Sequence, residues 1–192
     1  MIASEEQARA NFYGLLARLF YSAPDAALLH MIATAGDMDA EDDRLAAAWR
    51  DLRTAAGSAD AGRVREEYET AFVGTGKAPV TLYSGAYSVR FTNEVPLAAL
   101  RGELAALGLA RRADAGEPED HVAALFDTMR HLIAGQVHGL EEQQRFFARW
   151  IAPIVEPLCA AIEASEVADF YRRVARLAKA FLTVEQAAFE ML

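Results

Sequence analysis

Apolar residues recur three and four positions apart along most of this chain, and the regular structure that buries a stripe of that period is an amphipathic helix. Ala8, Phe12, Leu15, Leu16, Leu19 and Phe20 form one stripe, and Leu97, Leu100, Leu104 and Leu107 another. The strongest is Val122, Leu125, Phe126, Met129, Leu132, Ile133 and Val137. Alanine, the best helix former, supplies 41 of the 192 residues. No segment carries a competing strand signal, so the expected fold is all-α. With 53% apolar residues, 12 Gly, 6 Pro and no repeat or domain-length linker, one single-domain helical bundle over residues 1–192 is expected.

Stop and start signals divide the stripes. Ser4-Glu5-Glu6-Gln7 has the form of a capping box, and the first helix is expected to run to about Tyr21. A short helix should start near Pro24-Asp25 with Ser22 as cap and stop at Gly36; a third runs from about Ala40 to Ala56 and ends at Gly57. A fourth, from about Ala59, ends at Gly74. Helix resumes with Asn93 as cap and Pro96 in the first turn, closing at Gly108. The Val122 stripe should lie on a helix from Pro118 to Gly139, followed by Leu140 to Ile151, Pro153 to Ala164 and a long last helix from Ser165 to Met191. Between these lie two loops, about 74–93 and 109–117, both expected as breaks inside one bundle.

The charge narrows the function. Against 28 Asp and Glu stand 19 Lys and Arg, a formal charge of −9, with the cations scattered in pairs such as Arg111-Arg112. Nucleic-acid binding needs clustered cations, so a basic partner is expected instead. No run approaches the roughly 18 apolar residues of a membrane span, and Met1-Ile2-Ala3-Ser4-Glu5-Glu6 lacks the basic start and apolar run of a secretory signal; the expected compartment is the cytoplasm. Cys159, the single cysteine, sits in an apolar stretch and is expected to be a buried, inert thiol.

Few residues invite chemistry. Gly74-Thr75-Gly76-Lys77 echoes a phosphate-binding loop, but Ala78 stands where the motif needs Ser or Thr, and the segment follows a helix. The histidines His30, His121, His131 and His138 form no metal-ligand spacing. There is no Gly-x-Ser-x-Gly, so no catalytic residue is expected. What remains is Glu117-Pro118-Glu119-Asp120-His121. One account of it is a helix cap, in which Glu117 or Asp120 satisfies free N–H groups. The other is a recognition corner whose carboxylates pair with guanidinium groups, to which Tyr83 and Tyr87 on the Gly-rich loop add contact surface.

That segment, opening an apolar helix, resembles the Glu-Pro-x-Asp-His signature of the TorD/DmsD/NarJ family of redox-enzyme maturation chaperones. Tyr68-Glu69-Thr70-Ala71-Phe72-Val73-Gly74, followed by Tyr83-Ser84-Gly85-Ala86-Tyr87, is similar to that family's Tyr-x-x-Leu-Phe-Val-Gly stretch with its downstream Ser and Tyr. Arg9 to Phe20 and then Pro24 are similar to its first helix. Ala71 replaces the frequent Leu, and the Pro-Pro and Trp of many members are missing from the loop; Trp49 and Trp150 lie on helices and are expected in the core. The resemblance implies an all-α bundle of the TorD-like type and a cytoplasmic, non-enzymatic chaperone. Such a protein binds the twin-arginine signal or N-terminal segment of a molybdopterin-containing oxidoreductase precursor and assists its cofactor insertion before export. It implies peptide contacts at Asp120 and His121, with Glu117 beside them, no metal or cofactor of the chaperone's own, and a monomer or homodimer. The rival expectation is a guanine-nucleotide-binding protein or weak hydrolase with GTP at Gly74 to Lys77.

Overall fold

The computed structural model describes residues 4–38, 42–74, 78–87, 96–111, 116–135 and 139–192. These residues form α1 (Ser4–Tyr21), α2 (Ala26–Thr34), α3 (Asp43–Ser58), α4 (Ala61–Tyr68), α5 (Pro96–Ala106), α6 (Val122–Ala134), α7 (Leu140–Phe146), α8 (Ala152–Ala164) and α9 (Phe170–Glu190). The protein is all-α; among the described residues the one extended pairing is an isolated antiparallel bridge between Tyr83 and His121.

The stripes set the helices, and aspartates set several of their starts. Asp25, Asp42 and Asp60 cap α2, α3 and α4, each side chain accepting an N–H of the first turn, such as Leu28 N–H at 2.8 Å. Asp25 thus replaces the expected Ser22, and Pro24 stands before α2 instead of inside it. α3 continues through Gly57 to Ser58. α4 passes into a π-turn, Glu69–Val73, which Gly74 ends at φ +62°, a left-handed geometry that suits glycine. α6 begins four residues later than expected, at Val122, and ends at Ala134 instead of Gly139. α9 starts only at Phe170, because Ser165 and Ala168 are tied into turns by N–H bonds to Ile162 and Ser165. The expected start at Ala40, the Asn93 cap and the end of the Val122 stripe at Val137 lie outside the described residues.

The chain folds into two compact units, each made from two separate stretches. One joins the stretch ending at Tyr21 to Leu82–Ile154; the other joins Ser22–Thr81 to Val155–Leu192. The change at Thr81 falls inside the 74–93 loop.

In the first unit α1 packs on α6. Tyr13, Leu16, Leu19 and Phe20 of α1 and Leu125, Phe126 and Met129 of α6 are all at most 2% exposed, and each such side chain contributes about 1.5–3 kcal/mol when fully buried. Phe126 is the centre, its ring 6.2 Å from Tyr13 and 6.0 Å from Phe20. At Gly14 the helices are so close that a Cβ would stand 3.0 Å from Arg130 Cδ. A π-turn, Phe147–Ile151, follows α7 and buries Phe147 and Trp150, whose indole donates to Glu103 Oε2 of α5 at 2.8 Å.

In the second unit α9 lays Tyr171, Val174, Ala178 and Phe181 into the core and packs on α3, which brings Leu45, Trp49 and Leu52. Both tryptophans are in the core as expected, each with its indole N–H satisfied, Trp49 by the Gly36 carbonyl at 3.0 Å. Tyr171 stacks edge-on against Phe72 with centroids 4.9 Å apart. The α9 N-terminus is capped from α4: Glu67 accepts the N–H groups of Asp169, Phe170 and Tyr171 at 2.8, 3.0 and 2.8 Å.

Candidate binding corner

Residues 82–84 and 120–122 lie side by side because they exchange backbone hydrogen bonds. Val122 N–H donates to the Leu82 carbonyl at 2.8 Å, and Ser84 N–H to the Asp120 carbonyl at 2.9 Å. A turn closed by His121 N–H on the Pro118 carbonyl, at 3.1 Å, aims the preceding acidic residues. The two segments singled out in the sequence, Tyr83 to Tyr87 and Glu117 to His121, therefore meet, all within the first unit.

Side chains tighten the junction. The Tyr83 hydroxyl donates to Glu117 Oε2 at 2.6 Å, and the Tyr83 ring stands edge-on to the His121 ring at 5.3 Å. The Glu117 carboxylate accepts the phenol proton and opposes a negative phenolate, so the Tyr83 pKa is pushed up to about 12, with loss of solvent adding to the shift. His121 is 4% exposed and is itself the α6 cap: its Nδ1 accepts Ala123 N–H at 3.2 Å, which places the ring proton on Nε2. Burial holds the imidazole below its ordinary pKa, against the opposing pull of Glu117 and Asp120. The capping account is thus realised by His121 and not by Glu117 or Asp120, which lie ahead of α6. Asp120 sits against Gly85, where a Cβ would lie 3.3 Å from Oδ2, so the loop approaches the carboxylate closely. Tyr87 closes the 3₁₀ turn Ser84–Ala86 with its N–H on the Ser84 carbonyl at 3.0 Å.

Beside this corner lies a groove of about 470 Å³ lined by α1, α6, Leu104 of α5 and residues 109–111. Its walls include Gly14 and Ala17 of α1 and Ala123 and Ala124 of α6, small residues that leave the space unfilled. Charged groups rim it: Glu117, Glu119 and Asp127 with Arg18 and Arg111. Glu117 and His121 line it directly. All three rim carboxylates are already engaged, Glu117 by the Tyr83 hydroxyl. Arg101 of α5 grips Glu119 by two parallel bonds, Nε to Oε1 at 3.1 Å and Nη2 to Oε2 at 3.0 Å, and Arg130 donates to Asp127 Oδ1 at 2.7 Å. The Arg101 grip holds Glu119 below its ordinary pKa.

Sequence reasoning missed Arg101, Arg18, Tyr21 and Asp127, because it used each helix for its apolar face only. The pairing of short residues at Gly14-x-x-Ala17 with Ala123-Ala124 was the signal available: helices that meet through small side chains leave room at their edges.

The remaining candidates resolve simply. Cys159 is 2% exposed, its thiol donates to the Ala175 carbonyl at 3.4 Å, and burial pushes its pKa up to about 12, as an inert thiol requires. His131 is 2.8 Å through Nδ1 from the carbonyl of Asp127 on its own helix. Among the described residues no three His, Cys, Asp or Glu side chains come together as a metal would need. Of Gly74 to Lys77 only Gly74 is described, and His138 lies outside the described residues. No helix among those residues is long and apolar enough to cross a membrane.

Compared with known proteins, residues 38–160 match the family model described as nitrate reductase delta subunit. No curated protein matches the chain.

Proposed function

The chain belongs to the nitrate reductase delta subunit family, a family of redox-enzyme maturation chaperones, and on that premise we propose that it is a non-enzymatic, peptide-binding chaperone acting in the cytoplasm. Its client is a molybdopterin-containing oxidoreductase precursor, held by the twin-arginine signal or nearby N-terminal segment until cofactor insertion is complete. The observation that carries this reading is the placement of Glu117 and Glu119 on the rim of a groove walled by Gly14, Ala17, Ala123 and Ala124, with Asp120 beside Glu119 in the chain. A peptide with two arginines ahead of an apolar stretch supplies both complements, guanidinium groups for the carboxylates and apolar side chains for the groove. Tyr83 braces Glu117, and His121 fixes the start of α6, so both act on the peptide by holding the corner in shape.

Isothermal titration with a signal-like peptide, paired arginines against paired alanines, tests the reading. The paired-arginine form should bind at least ~10-fold more tightly. Equal binding, or none by either peptide, would sink the role. Asp120→Asn should weaken the paired-arginine peptide while leaving the melting curve in place. His121→Ala is a poorer probe, since it removes a buried ring and a cap together.

A further inference from the structure

Of the rim carboxylates, Glu119 stands in an unusual position: it lines the groove, yet its side chain is only 13% exposed and both its oxygens are held by the guanidinium of Arg101. Arg101 itself is 54% exposed on α5, its head held by this fork with the Asp120 charge nearby. A carboxylate with little access to water favours a cation beside it. An exposed arginine, by contrast, gives up little when it returns to water. The arrangement is asymmetric, a fixed acceptor with a releasable internal donor.

We propose that Arg101 is an internal competitor that occupies Glu119 until an arginine of the bound peptide displaces it, so that this exchange holds down the site's affinity for a cationic peptide. The inference rests on the peptide reading above. An incoming guanidinium reproduces both bonds of the Arg101 fork and restores what was broken. An ammonium is a compact charge without the planar fork, so it replaces two parallel bonds with a single point contact and loses the competition. A cluster of free carboxylates would take either cation on charge alone. The self-occupied carboxylate raises the threshold for both, because the cost of releasing Arg101 does not depend on which cation replaces it. Arg101 is therefore an affinity-setting residue, whose released side chain stays at the rim of α5.

Titration of wild type, Arg101→Gln, Arg101→Lys, Glu119→Gln and the Arg101→Gln/Glu119→Gln double variant with paired-arginine, paired-lysine and paired-alanine peptides tests the exchange. Arg101→Gln should bind the paired-arginine peptide about fivefold more tightly and the paired-lysine peptide by at most the same factor, so that the arginine-to-lysine ratio is kept or widened. Arg101→Lys should give most of the same gain although the charge is kept, which separates the fork from general repulsion. In the Glu119→Gln background the Arg101→Gln gain should vanish. Unchanged or weaker binding by Arg101→Gln, or a gain that survives Glu119→Gln, overturns the exchange while leaving the peptide reading intact. If no variant tells paired arginine from paired alanine, the peptide reading falls and the exchange with it. Arg101 is exposed, so its two variants should keep the wild-type melt, and they carry the test even if Glu119→Gln is destabilised.

Discussion

At Tyr83 one hydroxyl proton is shared with a carboxylate, and that single contact has a spectroscopic consequence. With its pKa pushed up to about 12, Tyr83 should still be protonated where ordinary tyrosines ionise, near pH 10. Subtracting the ultraviolet titration of Tyr83→Phe from that of wild type should isolate this late step, and Glu117→Gln should bring it back toward the ordinary value. His121 gives a pH dependence of stability. Its folded pKa lies below the unfolded value of about 6.5, so between the two the unfolded chain binds more protons. The stability that His121 contributes is complete above about pH 6.5 and is lost as pH falls through the folded pKa. His121→Asn keeps a good capping residue that does not titrate, and melting curves from pH 7.5 to 5 should show a shallower decline for it than for wild type. Cys159 should resist a thiol reagent in the native protein and react at once in denaturant; equal rates in both would contradict its burial.

Among the elements, α9 depends on a cap that comes from α4. Asp169 precedes α9 without capping it, and Glu67 takes three of the first N–H groups instead. Glu67→Ala should lower the urea midpoint by the equivalent of about 2 kcal/mol with an unchanged slope, and Glu67→Gln should cost less. This contact joins residues more than a hundred positions apart, and no local pattern could announce it. The same limit explains the corner. Spacing identified every long helix, because the 3.6-residue stripe is a local property that burial enforces. It placed Glu117 to Asp120 inside the first turn of α6 because their charges suit a helix N-terminus. In the folded chain the backbone at Asp120 and Val122 is committed to Ser84 and Leu82, so helix cannot begin until Val122. The two segments that meet were singled out in the sequence; that Tyr83 and His121 brace their junction while Glu117 and Glu119 line the groove, and that Arg101 grips Glu119, no local pattern announced.

At the scale of the whole molecule, the chain crosses between its two units at Tyr21, Thr81 and Ile154, so no cut leaves either sequence half with a complete unit. Fragments 1–81 and 82–192 should each be largely unfolded alone and should regain helical circular dichroism when mixed. An independently folded, cooperative melt of either fragment would contradict that interdependence. The −9 charge of the chain should also speed encounter with a cationic peptide and make it salt-sensitive. The account as a whole turns on where the peptide's arginines go. A double-mutant cycle decides it, with Asp120→Asn or Glu117→Gln in the protein against arginine-to-alanine replacement in the peptide. Direct pairing predicts strong coupling, about tenfold, so that the second change costs little once the first is made. Losses that simply multiply would mean the arginines are held elsewhere, and the corner would be only the brace that starts α6.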